Sequence, residues 1–291
     1  MDVDIAADLH GHTRFSDGRA TPEEYVDYRR SIGMRLCAVA DHDVLTGVPI
    51  AAMAARRAGM WFLPAVEVTS FLHFGTAEAE QFHVLAYFPP AFVQPSRLFR
   101  TALYARGLRV QNRWKTFVLE WLSSLPENDR LAIDPDTTLE ALPNEDFPAL
   151  QSMIDRISNR RPDLFDAFRI HHVSFWEKDR ELFGWTPEEA MEYIRADGAF
   201  DVIAHPGRYR DKQRTERALH YARGIEVYTS RHRGDVAKRF LEFAQEHRKT
   251  WTVSADDHQN ARYIRPPCGI PIRTVEELFQ RSLTVDEIMG K

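Results

Sequence analysis

The sequence predicts an α/β protein: a barrel-type array of βα units with a mainly helical segment inserted near its middle. Three observations lead there. Short apolar runs alternate with helical patterns at both ends of the chain. That alternation stops between about residue 97 and residue 195, where helical periodicity prevails. Histidines and carboxylates recur beside the apolar runs, mostly at their C-terminal ends. Alternating strands and helices argue for parallel βαβ units, and polar groups at strand C-termini occupy the face on which barrels carry their sites.

Taken in order, "VDIAADLH" reads as strand one. Thr21-Pro22-Glu23-Glu24 then opens a helix, with Thr21 as N-cap and Pro22 at the first helical position. "LCAVADH" is strand two, and the Ala-rich stretch Val48 to Ala58 is a helix closed by Gly59. "WFLPAVEVT" and "QFHVLAYF" supply strands three and four. After Pro89-Pro90, a helical period runs over residues 97–125, through Leu98, Leu103, Leu108, Trp114, Phe117, Leu119 and Leu122. Polar turns and further helices follow. Alternation resumes with "FDVIAH", a polar helix, "GIEVYT", a charged helix over 234–248, and "TWTVSADDH" as the last clear strand. The expected organisation is a first barrel part over 1–92, a helical insertion over 93–195 and a second barrel part over 196–291.

Composition narrows the function. A chain of 291 residues, 44% hydrophobic and 28% charged, can bury a large core. A net charge of -5 argues against a nonspecific or stable duplex nucleic-acid surface, yet permits a small anion held by metals and a few arginines. Two cysteines make no disulfide scaffold: Cys37 sits in an apolar run as a buried small hydrophobe, and Cys268 belongs to a loop. The N-terminus lacks a signal-peptide pattern, and no stretch is long enough to span a bilayer, so a cytoplasmic protein without membrane partners is expected. The oligomeric state is not legible.

The chemistry lies in nine side chains: His10, His12, Asp17, His42, Glu67, His83, His205, Asp256 and His258. His10 and His12 are two apart at a strand end, so an extended backbone sends both to one side. Gly11 between them leaves room for a metal or substrate. Asp256 and His258 repeat that spacing near the other end of the chain. Glu67 closes an apolar strand, where a lone carboxylate is costly unless it is paired or metal-bound. His83 fits least well, because it stands at the start of its run. Imidazoles with carboxylates favour divalent metals, with manganese, iron and zinc all acceptable, and metals activate water for hydrolysis.

The segments "DLHGHTRFSDG", "ADHD", "HVLAY", "AHPGRY" and "SADDH", with the Glu of strand three, closely resemble the PHP (polymerase and histidinol phosphatase) family over about residues 4–90 and 186–270. The resemblance implies a metal-dependent phosphoesterase on a distorted (β/α)7-type barrel, with two to three metal ions. It implies that His10, His12, Glu67 and Asp256 hold one metal, that Glu67 bridges to a second held by His83 and His205, and that Asp17, His42 and His258 hold a third. The sub-group with a helical insertion after strand four and the "AHPGRY" signature includes 3′,5′-nucleotide bisphosphate phosphatases and enzymes trimming short RNA. Those relatives carry a Thr-Arg-X-His segment in the insertion, which this chain lacks. The implied metal chemistry therefore transfers better than the nucleotide specificity.

The expected reaction is in-line attack on a phosphate ester of a small molecule, nucleotide or short oligonucleotide by a metal-bridging hydroxide. Asp256 is the candidate proton shuttle, and His205 or His258 the candidates to assist the leaving oxygen. Arg208 and Arg14 are the candidate phosphate clamp, since a planar guanidinium binds oxyanions bidentately. The alternatives are a metal-dependent amide or ester hydrolase and a non-catalytic metal-binding domain. Asp43 and Asp257 adjoin ligands and are placed as partners orienting imidazoles. Arg19 and His73, His220, His232 and His247 read as surface residues, and adjacent His171 and His172 diverge too far to ligate together. The insertion's aromatic stripe reads as its own small core, and its arginines Arg97, Arg100, Arg106, Arg109 and Arg113 as a solvated face.

Overall fold

The computed structural model describes residues 4–260 and 269–289. Cys268 lies outside them. In chain order the elements are β1 (Asp4–Asp8), α1 (Pro22–Ser31), β2 (Leu36–Cys37), α2 (Val48–Arg57), β3 (Trp61–Phe62), β4 (Ala65–Leu72) and β5 (Glu80–Tyr87). Helices α3 (Pro95–Leu98), α4 (Ala102–Ser123), α5 (Glu127–Ile133), α6 (Leu150–Arg160), α7 (Phe165–Lys178), α8 (Arg180–Phe183) and α9 (Pro187–Ala196) follow. The chain then returns through β6 (Phe200–Ile203), α10 (Lys212–Tyr221), β7 (Gly224–Tyr228), α11 (Gly234–Glu246) and β8 (Thr250–Val253). It ends with β9 (Gly269–Pro271), α12 (Ile272–Phe279) and α13 (Val285–Met289).

Helix starts follow the local chemistry. Thr21 and Glu24 form a capping box at α1, with Pro22 behind the cap. Thr186, Glu189 and Pro187 repeat it at α9. The single helix expected over 97–125 is two. Thr101 caps α4 by accepting from the Tyr104 amide, and the Asp197 carboxylate accepts the amides of Ala102 and Leu103, so the chain breaks after α3.

Two sheets, ordered β3-β2-β1-β9 and β4-β5-β6-β7-β8, join into a barrel. The Leu9 amide donates to the Val253 carbonyl, and Gly11 pairs with Asp257, which sets β1 beside β8. His42 pairs with Glu67, which sets the end of β2 beside β4. The expected third strand splits at Pro64: β3 pairs with β2 and β4 with β5. The expected second strand ladders only at Leu36–Cys37, and its extension to His42 is held by the Ala38 and Ala40 amides donating to Asp8 and Gly11. β9 was not expected, and it pairs antiparallel with β1.

One correction bears directly on the site. Apart from β9, the strands are parallel except β5, which runs antiparallel to both β4 and β6. Only residues 73–79 separate β4 from β5. A parallel return needs a crossover of roughly a dozen residues or more, so this connection can make only a hairpin. Reversal brings the start of β5 to the barrel face where the other strands end.

The main core lies between barrel and helices, with Ile5, Leu36, Val66, Leu85, Ile203 and Ile225 fully buried or nearly so. A second apolar cluster, built on Trp114, Phe117, Trp121, Met153, Phe168 and Phe183, belongs mainly to α4–α8 and also takes in Val44 and Phe71 of the barrel. The insertion therefore has a core of its own that rests on the barrel rim.

Candidate metal centre

All nine candidate ligands converge on that rim. His10 and His12 follow β1, His42 follows β2, Glu67 is in β4, and His205 follows β6. Asp256 and His258 follow β8. His83, the outlier by position in its run, opposes Thr69 across the β4–β5 ladder and lies next to Ala204 through its carbonyl. The reversed strand is the reason it reaches the same face.

Glu67 is the hub. Its buried carboxylate lies 3.1 Å from His10 Nε2, 3.3 Å from His12 Nε2 and 3.2 Å from His42 Nδ1 through Oε2. Through Oε1 it lies 3.0 Å from His83 Nδ1 and 3.1 Å from His205 Nε2. Asp17 makes a second hub, 3.4 Å from His12 Nδ1, 3.6 Å from His42 Nε2 and 3.2 Å from His258 Nε2. His12 and His42 thus present one ring nitrogen to each hub. Asp256 Oδ1 completes the ring at 3.4 Å from His12 Nε2, and its other oxygen is paired with Arg231.

The backbone is bent to make this possible. Asp43, His205 and Asp256 all have φ in the left-handed region, at 59°, 30° and 46°. Such conformations cost about 1–3 kcal/mol each in non-glycine residues and gather at functional sites. Gly11 does not open space for a ligand as expected: a Cβ there would run into the Tyr25 ring.

The donor set fits divalent metals. Glu67 Oε2, His42 Nδ1 and both ring nitrogens of His83 are buried without a hydrogen-bond partner among the described residues. A buried polar atom left unpaired costs about 1–3 kcal/mol, so donors such as these fit the binding of a divalent cation. Three sets lie with their ligand atoms within 4.8 Å of one another: His12, Asp17, His42 and His258; His10, His12 and Glu67; and His42, Glu67 and His83. The first adds His12 to the expected third-metal group, and the last places His42 with Glu67 and His83.

Electrostatics prepares the carboxylates. Burial works against ionisation of Glu67, but His10, His42 and His83 hold it well below the usual carboxylate range. Asp256 is held well below by His10 and His12, again against burial. Burial depresses His42 to about 4 despite Glu67 and Asp17, so it is neutral and able to ligate. Burial also opposes the charge on His12, yet Asp17, Asp256 and Glu67 push it up to about 10.

The partners that fix the ligands are not those expected. Among the described residues, Asp43 and Asp257 hydrogen-bond to other groups than the ligand imidazoles. Asp43 accepts from Arg106 and the Thr69 amide, and Asp257 accepts from Arg29 and the Gln259 amide. The residue that orients an imidazole is Glu226 of β7, which accepts from His10 Nδ1 at 3.0 Å, from the His205 amide at 2.7 Å and from Ser254. Asp41 fixes the first loop by accepting from the Thr13 amide and hydroxyl and from Ser16. Arg29, fully buried, ties Asp8 to Asp257 and stacks on Tyr25. Glu226 carried a signal, since "GIEVY" sets a lone carboxylate in an apolar strand as "PAVEV" does for Glu67.

A cavity of about 760 Å³ opens beside Asp17 and His42, between the barrel rim and the insertion. Aromatic rings of Phe15, Trp114, Phe147 and Trp176 line it, with Arg14 and Arg210 among its cations. Arg208 is exposed and does not line it. His172 lines it without touching the nine, and His171 stacks on Phe117. Two supposed surface histidines are half-buried in structural roles: His73 bonds Asp211, and His232 accepts from the Gly207 amide. Arg19 is exposed beside Asp155. Arg106 is buried rather than solvated, whereas Arg109 and Arg113 pair with Glu181 and Asp179 on the surface.

A barrel rim with a buried cluster of imidazoles and carboxylates defines a metal-dependent hydrolase. The chain matches the PHP domain family over residues 8–255 and belongs to it. It is 28% identical over 264 residues to a 3′,5′-nucleoside bisphosphate phosphatase of Chromobacterium violaceum, covering 86% of each chain. It is 24% identical over 282 residues to the 5′-3′ exoribonuclease Rnm of Salmonella typhimurium, covering 89% of this chain and 87% of that one. The fold matches a Bifidobacterium adolescentis structure, described as a metal-dependent phosphoesterase, with a TM-score of 0.63 at 20% identity over the whole of both chains. The protein is a metal-dependent phosphoesterase, a hydrolase of phosphate esters. No helix among the described residues is long and apolar enough to cross a membrane.

Proposed function

We propose that this enzyme removes a phosphate from a 3′,5′-nucleoside bisphosphate or cleaves the terminal linkage of a short oligonucleotide in the cytoplasm, using two to three ions of manganese, iron or zinc. The observation that carries the reading is the convergence of five imidazoles on Glu67 beside an aromatic cavity large enough for a nucleotide. The activities named for the two relatives are both compatible with it.

The residues divide the work. His10, His12, Glu67 and Asp256 would hold one metal, Glu67 with His83 and His205 a second, and Asp17, His42 and His258 a third. Bound there, the cations would supply positive charge against the phosphate oxygens and would lower the pKa of water enough for it to give up a proton and attack at neutral pH. Asp256 stays ionised between the imidazoles and Arg231, and accepts the proton of the attacking water. His258, partly exposed beside Asp17, or His205 delivers a proton to the leaving oxygen. Arg14 meets the distal phosphate at the cavity mouth, and exposed Arg208 has the weaker claim. The insertion, taken as residues 93–195, supplies the opposing wall.

A phosphate-release panel with manganese tests this, run over mononucleotides, 3′,5′-bisphosphates, cyclic phosphates and short RNA. Release from bisphosphates or oligonucleotides that is lost in Asp256→Asn supports the reading. Release only from non-nucleotide esters refutes the substrate class.

A further inference from the structure

Among the proposed ligands, His42 and His83 have no hydrogen-bonded anchor on their rings, and the loop that carries His42 shows what places it instead. The His10 ring is anchored by Glu226, and the His258 ring by the Asp256 carbonyl at 3.2 Å. The His42 Nδ1 is buried and has no hydrogen-bond partner among the described residues. Its aim therefore depends on where its backbone sits, and that is decided one residue later. The Asp43 amide donates to the Glu67 carbonyl at 2.8 Å, and its Oδ1 accepts from the Thr69 amide at 2.8 Å. Its φ of 59° turns the chain sharply at this point. The third tie on Asp43 comes from outside the barrel: Arg106 Nη1 donates to the same Oδ1 at 2.6 Å.

We propose that Arg106 is a positioning residue for His42, through which the helical insertion helps to build the metal centre. The reading rests on His42 being a ligand, as proposed above. Arg106 is 2% exposed, so its charge is committed to this contact and cannot serve a phosphate. The rest of its fork is occupied. Nε and Nη2 donate to the Leu182 carbonyl at 3.0 and 2.6 Å, and the guanidinium stacks 4.6 Å from the Trp185 ring centroid. Only arginine offers a rigid planar fork that spans Asp43 and the carbonyl of Leu182 together.

A second, independent observation lies in the next residue. A Cβ on Gly107 would stand 2.9 Å from the Asp43 carbonyl oxygen and 3.2 Å from the Val44 Cα. The backbone of α4 is thus pressed on the backbone of the ligand loop. Glycine in the interior of a 22-residue helix is otherwise unfavourable, so its presence here is accounted for by that approach.

The test is a calorimetric titration of the full chain, freed of metal, with manganese. Arg106→Met and Gly107→Ala are expected to weaken the binding event that His42→Ala abolishes, by about 10–100-fold, as loss of an outer partner of a ligand does. Arg106→Lys should fall between wild type and Arg106→Met, because an ammonium reaches Asp43 but cannot also span Leu182. Gly107→Ala guards against a folding artefact, since alanine favours the helix itself. Val118→Ala, in the insertion core, should lower thermal stability and leave manganese affinity alone. Wild-type affinity in both Arg106→Met and Gly107→Ala, with the event lost in His42→Ala, would overturn the proposal. An unaltered titration in His42→Ala would remove the ligand assignment first, and the positioning role with it.

Discussion

Replacing Glu226 by glutamine changes one atom and should cost the enzyme much of its metal affinity. In the native site both carboxylate oxygens accept: one takes His10 Nδ1 and the Ser254 hydroxyl, the other the His205 amide. No donor is needed anywhere around this side chain. Glutamine brings an NH2 group that must face one of those donors whichever way it turns. If it faces the His205 amide, a charge-assisted bond worth about 1.5–3 kcal/mol is replaced by a donor–donor contact. If it faces His10, the imidazole is driven to the tautomer with its proton on Nε2, the nitrogen that points at Glu67. Either way one ligand loses its anchor, the His205 backbone in the first case and the His10 ring in the second. Such losses typically weaken metal binding about 10–100-fold, or about 1.4–2.7 kcal/mol. Competition with a chromogenic chelator reads the affinity, and circular dichroism checks that the fold is intact. A correctly folded Glu226→Gln protein with unchanged metal affinity would refute the argument that Glu226 positions His10 and His205.

Arg29→Met leaves the Asp8 carboxylate buried without its cation and takes the Arg29 contact from Asp257. Breaking a buried pair in this way costs about 3–5 kcal/mol, readable as a shift in the urea midpoint, and a shift inside experimental error would contradict it. Metal binding should release protons near neutral pH, because His12, pushed up to about 10, and His10, held well above its usual value, carry protons without metal. Their folded pKa values lie above the unfolded one, so those protons stabilise the metal-free fold below about pH 6.5 and the benefit fades as pH rises toward 10. Affinity should therefore rise with pH, and calorimetry in two buffers of different ionisation heat should show proton release; identical heats would argue against it. Arg14→Ala should raise KM for a bisphosphate by about tenfold with kcat kept, as loss of one rim charge-assisted contact does, while Arg208→Ala should change it less. Steady-state kinetics on both variants decides, and the reverse ranking would move the clamp to Arg208.

How much of this was legible in the sequence depends on whether the information was local. Capping at Thr21 and Thr186, the apolar staves and the strand-end ligands are written within a few residues of where they act. The candidate ligands could be picked out for the same reason, since lone carboxylates and histidines in apolar runs stand out. What escaped is tertiary. The reversal of β5 followed from the short β4–β5 connection, yet the alternation of runs suggested only parallel staves. Arg106 looked like one arginine among several on a helix, and nothing near it in sequence names Asp43 as its partner. Asp257 and Asp43 looked like orienting partners because they adjoin ligands, but backbone turns carry both toward arginines. Cavity-facing residues such as Trp114 and Phe147 cannot be told from core by their spacing.

The centre draws on both ends of the chain, and that fixes when it can exist. Glu226 meets His10 from 216 positions away, Asp257 meets Arg29 from 228, and the Ala255 amide meets Asp8 from 247. Contacts of such separation are the last to be repaid during folding, because the loop they close must be ordered first. A chain still being made has His10, His12 and His42 exposed but lacks the loop after β8, so it offers passing cations only partial coordination. Full metal uptake at the proposed centre is then expected to coincide with closure of the barrel. On the proposed ligand assignment, the site is expected to become competent only as folding ends.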